Sequence, residues 1–340
     1  MKTAHYTIQF HTPAFLGNAE QSGQWRTPPF KAQLRQWWRV AYAASRQFRV
    51  NTEEMRQEEG RLFGNAWLED NFSKSKVRIR LSQWNPGKLD NWGKQDSSIQ
   101  HPEVAKPVGA QLYMGFGPLV FRGGTALKAN AAIQADEPNT FSLAYPESDA
   151  DLIKQALALM DKFGTAGGRS RNGWGSYSLR PETGTSELSF AAPVRPWRDA
   201  LSLDWPHAIG ADTRGPLIWQ TRPHQDWPAL MKELAAIKIG LRTQFKFPHA
   251  QPDGQIHERH WLSYPVTRHS VRAWNNARLP NSLRFKIRQT EAGQLVGVIF
   301  HMPCLPPASF TPDLKAIVTV WQTVHASLDS PDRHLTRIPA

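Results

Sequence analysis

The chain has 340 residues, more than one ordinary domain uses, and carries 41 Lys and Arg against 29 Asp and Glu, a formal net charge of +12. No apolar run is long enough to span a bilayer, and the N-terminus MKTAHYTIQFHTP lacks the apolar stretch and cleavage site of a signal peptide. A single cysteine, Cys304, excludes an internal disulfide framework and fits a reducing cytoplasm, where the commonest partner of a basic protein is nucleic acid.

Residues 5–12 (HYTIQFHT) alternate, with Tyr6, Ile8 and Phe10 on one face and His5, Thr7, Gln9 and His11 on the other, which predicts a half-buried strand. Thr27-Pro28-Pro29 then opens a helix, because the first turn has spare N–H groups and tolerates proline. Leu34, Trp37, Trp38, Ala41 and Tyr42 recur at helical spacing and predict an inward face, while Lys31, Arg35 and Arg39 form a basic stripe at steps of four. A second helix is expected over 53–63 and a strand over 77–81. The polar stretch 83–107 reads as an exposed insertion, partly disordered. Strands are expected over 115–121, 126–134 and 139–145, then a helix over 149–163, a glycine-rich loop and a strand over 176–179. Without the insertions the order is strand, helix, strand, strand, helix, strand, which is the ferredoxin-like order.

Residues 181–186 read as a link. Beyond it come a strand over 216–221, a helix capped by Asp226, an irregular stretch over 245–279, a hairpin of 282–289 with 294–301, and a helix over 313–328. The fold class is therefore α+β: two tandem ferredoxin-like domains, 1–182 and 187–340, with a glycine-rich loop and long insertions.

The loop at 164–177, GTAGGRSRNGWGSY, is the stretch richest in chemistry. Paired glycines let backbone N–H groups approach a phosphate, Arg169 and Arg171 add forked donors, and Trp174 adds a stacking face. The plainer alternative is that the loop is only a loop. It is not a P-loop, since Gly168 is followed by arginine and the residue five before it is Phe163. His257-Glu258-Arg259-His260 has its second histidine one residue too early for a zinc pair, and no Gly-x-Ser-x-Gly elbow is present. No metal or cofactor is expected. Fourteen tryptophans, several beside arginine as in Trp25-Arg26 and Trp197-Arg198, suit stacking on single-stranded bases or a Trp-rich core. His5 and His11 are the only catalytic candidates, as general base in metal-free RNA cleavage or as solvated strand-face histidines.

Three stretches together carry a family resemblance. TPAFLG at 12–17 leads into TPPFKAQLRQWWR at 27–39; FGTAGGRSRNGWGS follows at 163–176; HWLSYP at 260–265 and RLPNSLRFK at 278–286 come late. The chain resembles the RAMP superfamily of CRISPR-associated proteins and, within it, the first subunits of type III-B (Cmr) effector complexes. The resemblance implies two ferredoxin-like domains related to RNA-recognition (RRM-like) folds. It also implies a non-catalytic RNA-binding subunit of an antiviral ribonucleoprotein, placed near the guide-RNA 3′ end and the matching part of the target RNA beside other effector subunits. Carried over by motif, the RNA-contact candidates are Arg26, Lys31, Arg35, Trp38 and Arg39, with Gly167, Gly168, Arg169, Ser170, Arg171 and Trp174. Arg268, Arg284 and Lys286 are second-domain candidates. The alternative within the same superfamily is a metal-independent endoribonuclease that matures guide RNA with His5 or His11. A third reading is an adaptor whose basic face docks acidic protein subunits.

Overall fold

The computed structural model describes residues 1–66, 72–93, 96–249 and 253–340. In the first half these are β1 (Lys2–Phe10), α1 (Pro28–Ser45), α2 (Thr52–Phe63), β2 (Arg78–Leu81), β3 (Pro138–Tyr145), α3 (Ala150–Phe163) and β4 (Tyr177–Pro181). The strands form one antiparallel sheet in the order β2-β3-β1-β4, with Tyr6 opposite Phe141 and Pro181. The strand alternation does what the sequence predicts: Tyr6, Ile8 and Phe10 are buried beneath the helices. Pro28 and Pro29 occupy the first turn of α1, and Asn51 caps α2 by accepting from the N–H groups of Glu53 and Glu54. Phe30 at the start of α1 sits among the rings of Phe10, Trp25, Phe141 and Tyr177. Each such side chain contributes about 1.5–3 kcal/mol by leaving water.

The second half repeats the plan with β5 (Ile218–Gln220), α4 (Trp227–Thr243), β6 (Leu283–Gln289), β7 (Leu295–His301), α5 (Leu314–Leu328) and β8 (Thr336–Arg337). Its sheet order is β6-β7-β5-β8, the counterpart of the first. Asp226 and Asp313 cap the two helices through the N–H groups of Ala229 and Ala316. The closing strand, Thr336–Arg337, was not expected from the sequence; Arg337 holds it through ion pairs to Asp212 and Asp329.

Two expectations are corrected. The strands expected over 115–121 and 126–134 form only in part, as Leu119–Phe121 and Thr125–Leu127 paired in a hairpin, and an unexpected short helix, Ala110–Gly115, precedes them. The stretch 83–107 is not a free insertion, though residues 94–95 lie outside the described ones. Trp92 is buried, and the Asp96 carboxylate accepts from the N–H groups of Gln111 and Leu112. Glu103 forms an ion pair with the buried Arg259 of the second half.

The two halves share a packed seam. Phe163 at the end of α3 meets Phe300 of β7 with ring centroids 5.0 Å apart. Arg288 donates from Nε to the Lys162 carbonyl at 2.7 Å, and Lys286 donates to the carbonyls of Met160 and Asp161. Side-chain donors here meet the carbonyls of the last turn of α3, where the helix dipole favours positive charge. The glycine-rich loop is pinned in the same seam: Phe285 N–H donates to the Arg171 carbonyl at 3.1 Å, and Ile287 N–H to Ser176 Oγ at 2.9 Å.

Candidate nucleic-acid interface

The loop between α3 and β4 divides into two parts. Its later part is structural. Trp174 is fully buried and meets Phe15, Trp92 and Trp227 at ring distances of 5.3, 5.4 and 5.6 Å. Gly175 has φ 61°, and a Cβ there would lie 1.9 Å from the Ala166 carbonyl oxygen, so only glycine fits. Thr12 and Ser176 both donate from their hydroxyls to the Gly173 carbonyl at 2.8 Å.

The earlier part faces outward. Gly167, Arg169 and Arg171 are exposed, with Gly168 and Ser170 half-buried beside them. Gly168 donates to the Phe15 carbonyl at 3.0 Å, which fixes the loop on the segment after β1. The N–H groups of Gly167, Arg169, Ser170 and Arg171 have no acceptor among the described residues. Arg169 donates from Nε to the Phe116 carbonyl at 2.5 Å, and the Phe116 ring is exposed beside it. Burial, and then the nearby Arg278, lower the Arg169 pKa. Lys238 on α4 donates to Asn172 Oδ1 at 2.5 Å; burial, helped by Arg242 and Arg169, pushes its pKa down to about 7. Phe116, Lys238 and Arg278 were missed from sequence. Phe116 was read as a strand residue, although its setting between Gly115 and Gly117 marks a tip.

The remaining candidates are dispersed. Arg26 is half-buried and donates to the Gly17 carbonyl. Lys31 is half-buried, and burial and then Arg35 lower its pKa. Arg35 and Arg39 do not form a free stripe: both pair with the buried Glu59 of α2, at 2.6 and 2.8 Å. Both arginines share that one carboxylate, which answers one of their two charges. Arg268 is exposed.

Four of the candidates are buried. Trp174 is enclosed as described. Trp38 is buried between Tyr42 and Phe63, its Nε1 without a partner among the described residues. Lys286 is buried over the Tyr177 ring, where burial pushes its pKa down to about 7. Arg284 is buried on the wall of an internal cavity. Trp38 lies on the inward face that its helical spacing predicts; all four were carried over as contacts by motif, which does not show the neighbours that cover them.

The histidines separate likewise. His5 is exposed, with Nδ1 3.0 Å from Ser142 Oγ. His11 is buried, correcting its expected place on the open strand face, and burial pushes its pKa down to about 4. His257 pairs with Asp253, and the described residues contain no cluster of His, Cys, Asp and Glu fit to hold a metal. No helix among them is long and apolar enough to cross a membrane.

A family model for the RAMP superfamily matches residues 7–178, just over half the chain, from β1 through the glycine-rich loop into β4. The chain belongs to the RAMP superfamily. In this RAMP protein the family match thus takes in the loop that the geometry singles out. No curated protein matches the sequence. Among solved structures, the apo form of Cmr1 from Pyrococcus furiosus is similar over 95% of this chain and 97% of its own, at 14% identity and a TM-score of 0.47. A chain of the type III-B Cmr-beta complex bound to cognate target RNA is similar over 96% and 99%, at 10% identity and a TM-score of 0.49. A chain of a type IV-B CRISPR complex covers 60% of this one and is itself covered fully, at 13% identity and a TM-score of 0.32.

Proposed function

We propose that this RAMP protein is a non-catalytic RNA-binding subunit of a type III-B CRISPR effector complex in the cytoplasm. It contacts the guide-RNA 3′ region, the target RNA, or both, beside other effector subunits. Both units read as ferredoxin-like domains, 1–182 and 187–340, joined by the turn between them. The observation that carries the proposal is the exposed part of the glycine-rich loop. Two arginines stand there beside backbone N–H groups without acceptors, on a chain of net charge +12. Such a surface holds phosphates, while base pairing between guide and target reads sequence. Phe116 takes the stacking role expected of Trp174, since its ring is open and adjacent to Arg169. Gly167, Gly168 and Ser170 shape the cradle, and Arg26, Lys31 and Arg268 are outlying contacts. Trp38, Arg35 and Arg39 act through packing and through Glu59.

Binding of the purified protein to labelled single-stranded RNA across a salt series tests this, with the same samples run on a denaturing gel. Affinity that falls steeply with salt and intact RNA support the proposal. Discrete cleavage products in EDTA, lost in His5→Ala, would move the assignment to the endoribonuclease. Partner binding that survives RNase, with no RNA affinity at low salt, would favour the adaptor.

A further inference from the structure

Behind the exposed part of the loop lies a cavity of about 120 Å³ lined in part by Arg171, Asn281, Ser282, Arg284, Cys304 and Trp321. It lies in the second half, walled largely by proline and apolar side chains, and the exposed Arg171 is the first-half residue that joins the buried Arg284 on its lining. Arg284 is 7% exposed, and its Nε has no hydrogen-bond partner among the described residues. Burial, with Arg171 adding repulsion, pushes its pKa down to about 9, which leaves the guanidinium charged at neutral pH. Neither arginine forms an ion pair within the described residues. Asp204, exposed at the mouth, pairs with neither. A buried charge without a counter-charge is among the costlier arrangements a fold contains, and two like charges sharing one cavity compound it.

A chain of side chains also ends on this cavity. Ser282 Oγ lies 3.0 Å from His301 Nε2, and His301 Nδ1 lies 2.9 Å from His325 Nε2. Both imidazoles are buried, and burial holds both well below the usual histidine range. With both neutral, the chain has two tautomeric arrangements, and in one of them His325 Nε2–H donates to His301 Nδ1 and His301 Nε2–H donates to Ser282 Oγ. The serine O–H is then left to donate into the cavity.

We infer that this cavity is an anion site that takes a phosphate group, with Arg284 and Arg171 as forked donors and Ser282 as a third donor. The forks match phosphate oxygens in shape as well as charge. The phosphate belongs either to a bound RNA strand or to a free nucleotide or inorganic phosphate. The RNA source rests on the function proposed above, and the free source does not.

The test uses the full chain, its Arg284→Met variant and its Arg171→Ala variant. Each is melted with inorganic phosphate or with chloride at equal ionic strength, and each is titrated with single-stranded RNA across salt. Phosphate raising the unfolding midpoint of the parent by about 2–4 °C, but of neither variant, establishes a site open to the free anion. No phosphate effect, with each variant lowering the salt slope for RNA by about 0.7, establishes a site filled by the strand. A phosphate effect in a parent that binds no RNA keeps the site and removes the RNA reading. No phosphate effect together with an unchanged RNA slope in both variants overturns the inference. Should Arg284→Met not fold, the exposed Arg171→Ala carries both readouts.

Discussion

The two parts of the glycine-rich loop lie within a dozen residues of each other and behave oppositely. From Gly167 to Arg171 the chain is open, charged and short of backbone acceptors; from Gly173 to Tyr177 it is buried, with its polar backbone tied to Thr12, Ser176 and Pro13. The glycines therefore serve two ends. Gly175 lets two backbone segments touch, while Gly167 and Gly168 set an exposed loop down on Phe15. Composition alone cannot separate these uses, because both ask for a residue without a Cβ. The buried part is an anchor that holds the open part in place.

The contrast breaks most visibly at Trp174. Trp174→Ala empties a site bounded by three aromatic rings and should destabilise the fold by about 3–5 kcal/mol in denaturant unfolding. The folded fraction should still bind RNA within about twofold of the parent. A large loss of affinity at full folding would mean that Trp174 reaches RNA after all.

Acid should act on the anchor too. The backbone N–H of His11 donates to the Ser176 carbonyl at 2.7 Å, its imidazole Nδ1 is buried without a partner among the described residues, and burial holds its folded pKa at about 4 against 6.5 unfolded. The unfolded chain takes up the proton first, so this contribution is complete above pH 6.5 and is lost as pH falls towards 4. The loss should be on the order of 2–3 kcal/mol. His11→Gln should flatten the stability profile over that window; an unchanged profile would clear His11 of the role.

At the open part, Phe116→Ala should weaken RNA binding by about 1–3 kcal/mol while leaving the salt slope alone, because stacking releases no counterions. A changed slope would indicate that the substitution disturbs Arg169, whose Nε bonds the Phe116 carbonyl. The smallest effect is expected at Arg35. Since Arg35 is already paired with Glu59, Arg35→Ala should change RNA affinity by less than about twofold. A drop comparable with that of an open-loop arginine would mean the ion pair opens when RNA binds.

Much of the fold was legible in the sequence because its signals are local. The alternation of Tyr6, Ile8 and Phe10, the spacing of Leu34, Trp37 and Ala41, and the cap at Asp226 each lie within a few residues, and all became the elements they predict. What was illegible depends on distant partners. Arg35 and Arg39 look free until Glu59 arrives from the next helix, and Trp174 looks like a stacking face until Trp92 and Trp227 cover it. The stretch around Trp92 looked mobile because its anchors, Gln111, Leu112 and Arg259, are far away in the chain. The helix Ala110–Gly115 was missed because it is six residues long beside a run of Gly, Phe and Pro. The loop was found as a motif; its division into anchor and grip needed the packing.

The most direct test of that division is the salt dependence of RNA binding in the Arg169→Ala, Arg171→Ala double variant. Removing two phosphate contacts from a single-stranded ligand should lower the slope of log K against log salt by about 1.4, with stability within about 1 kcal/mol of the parent. An unchanged slope and affinity in a fully folded double variant would contradict the account.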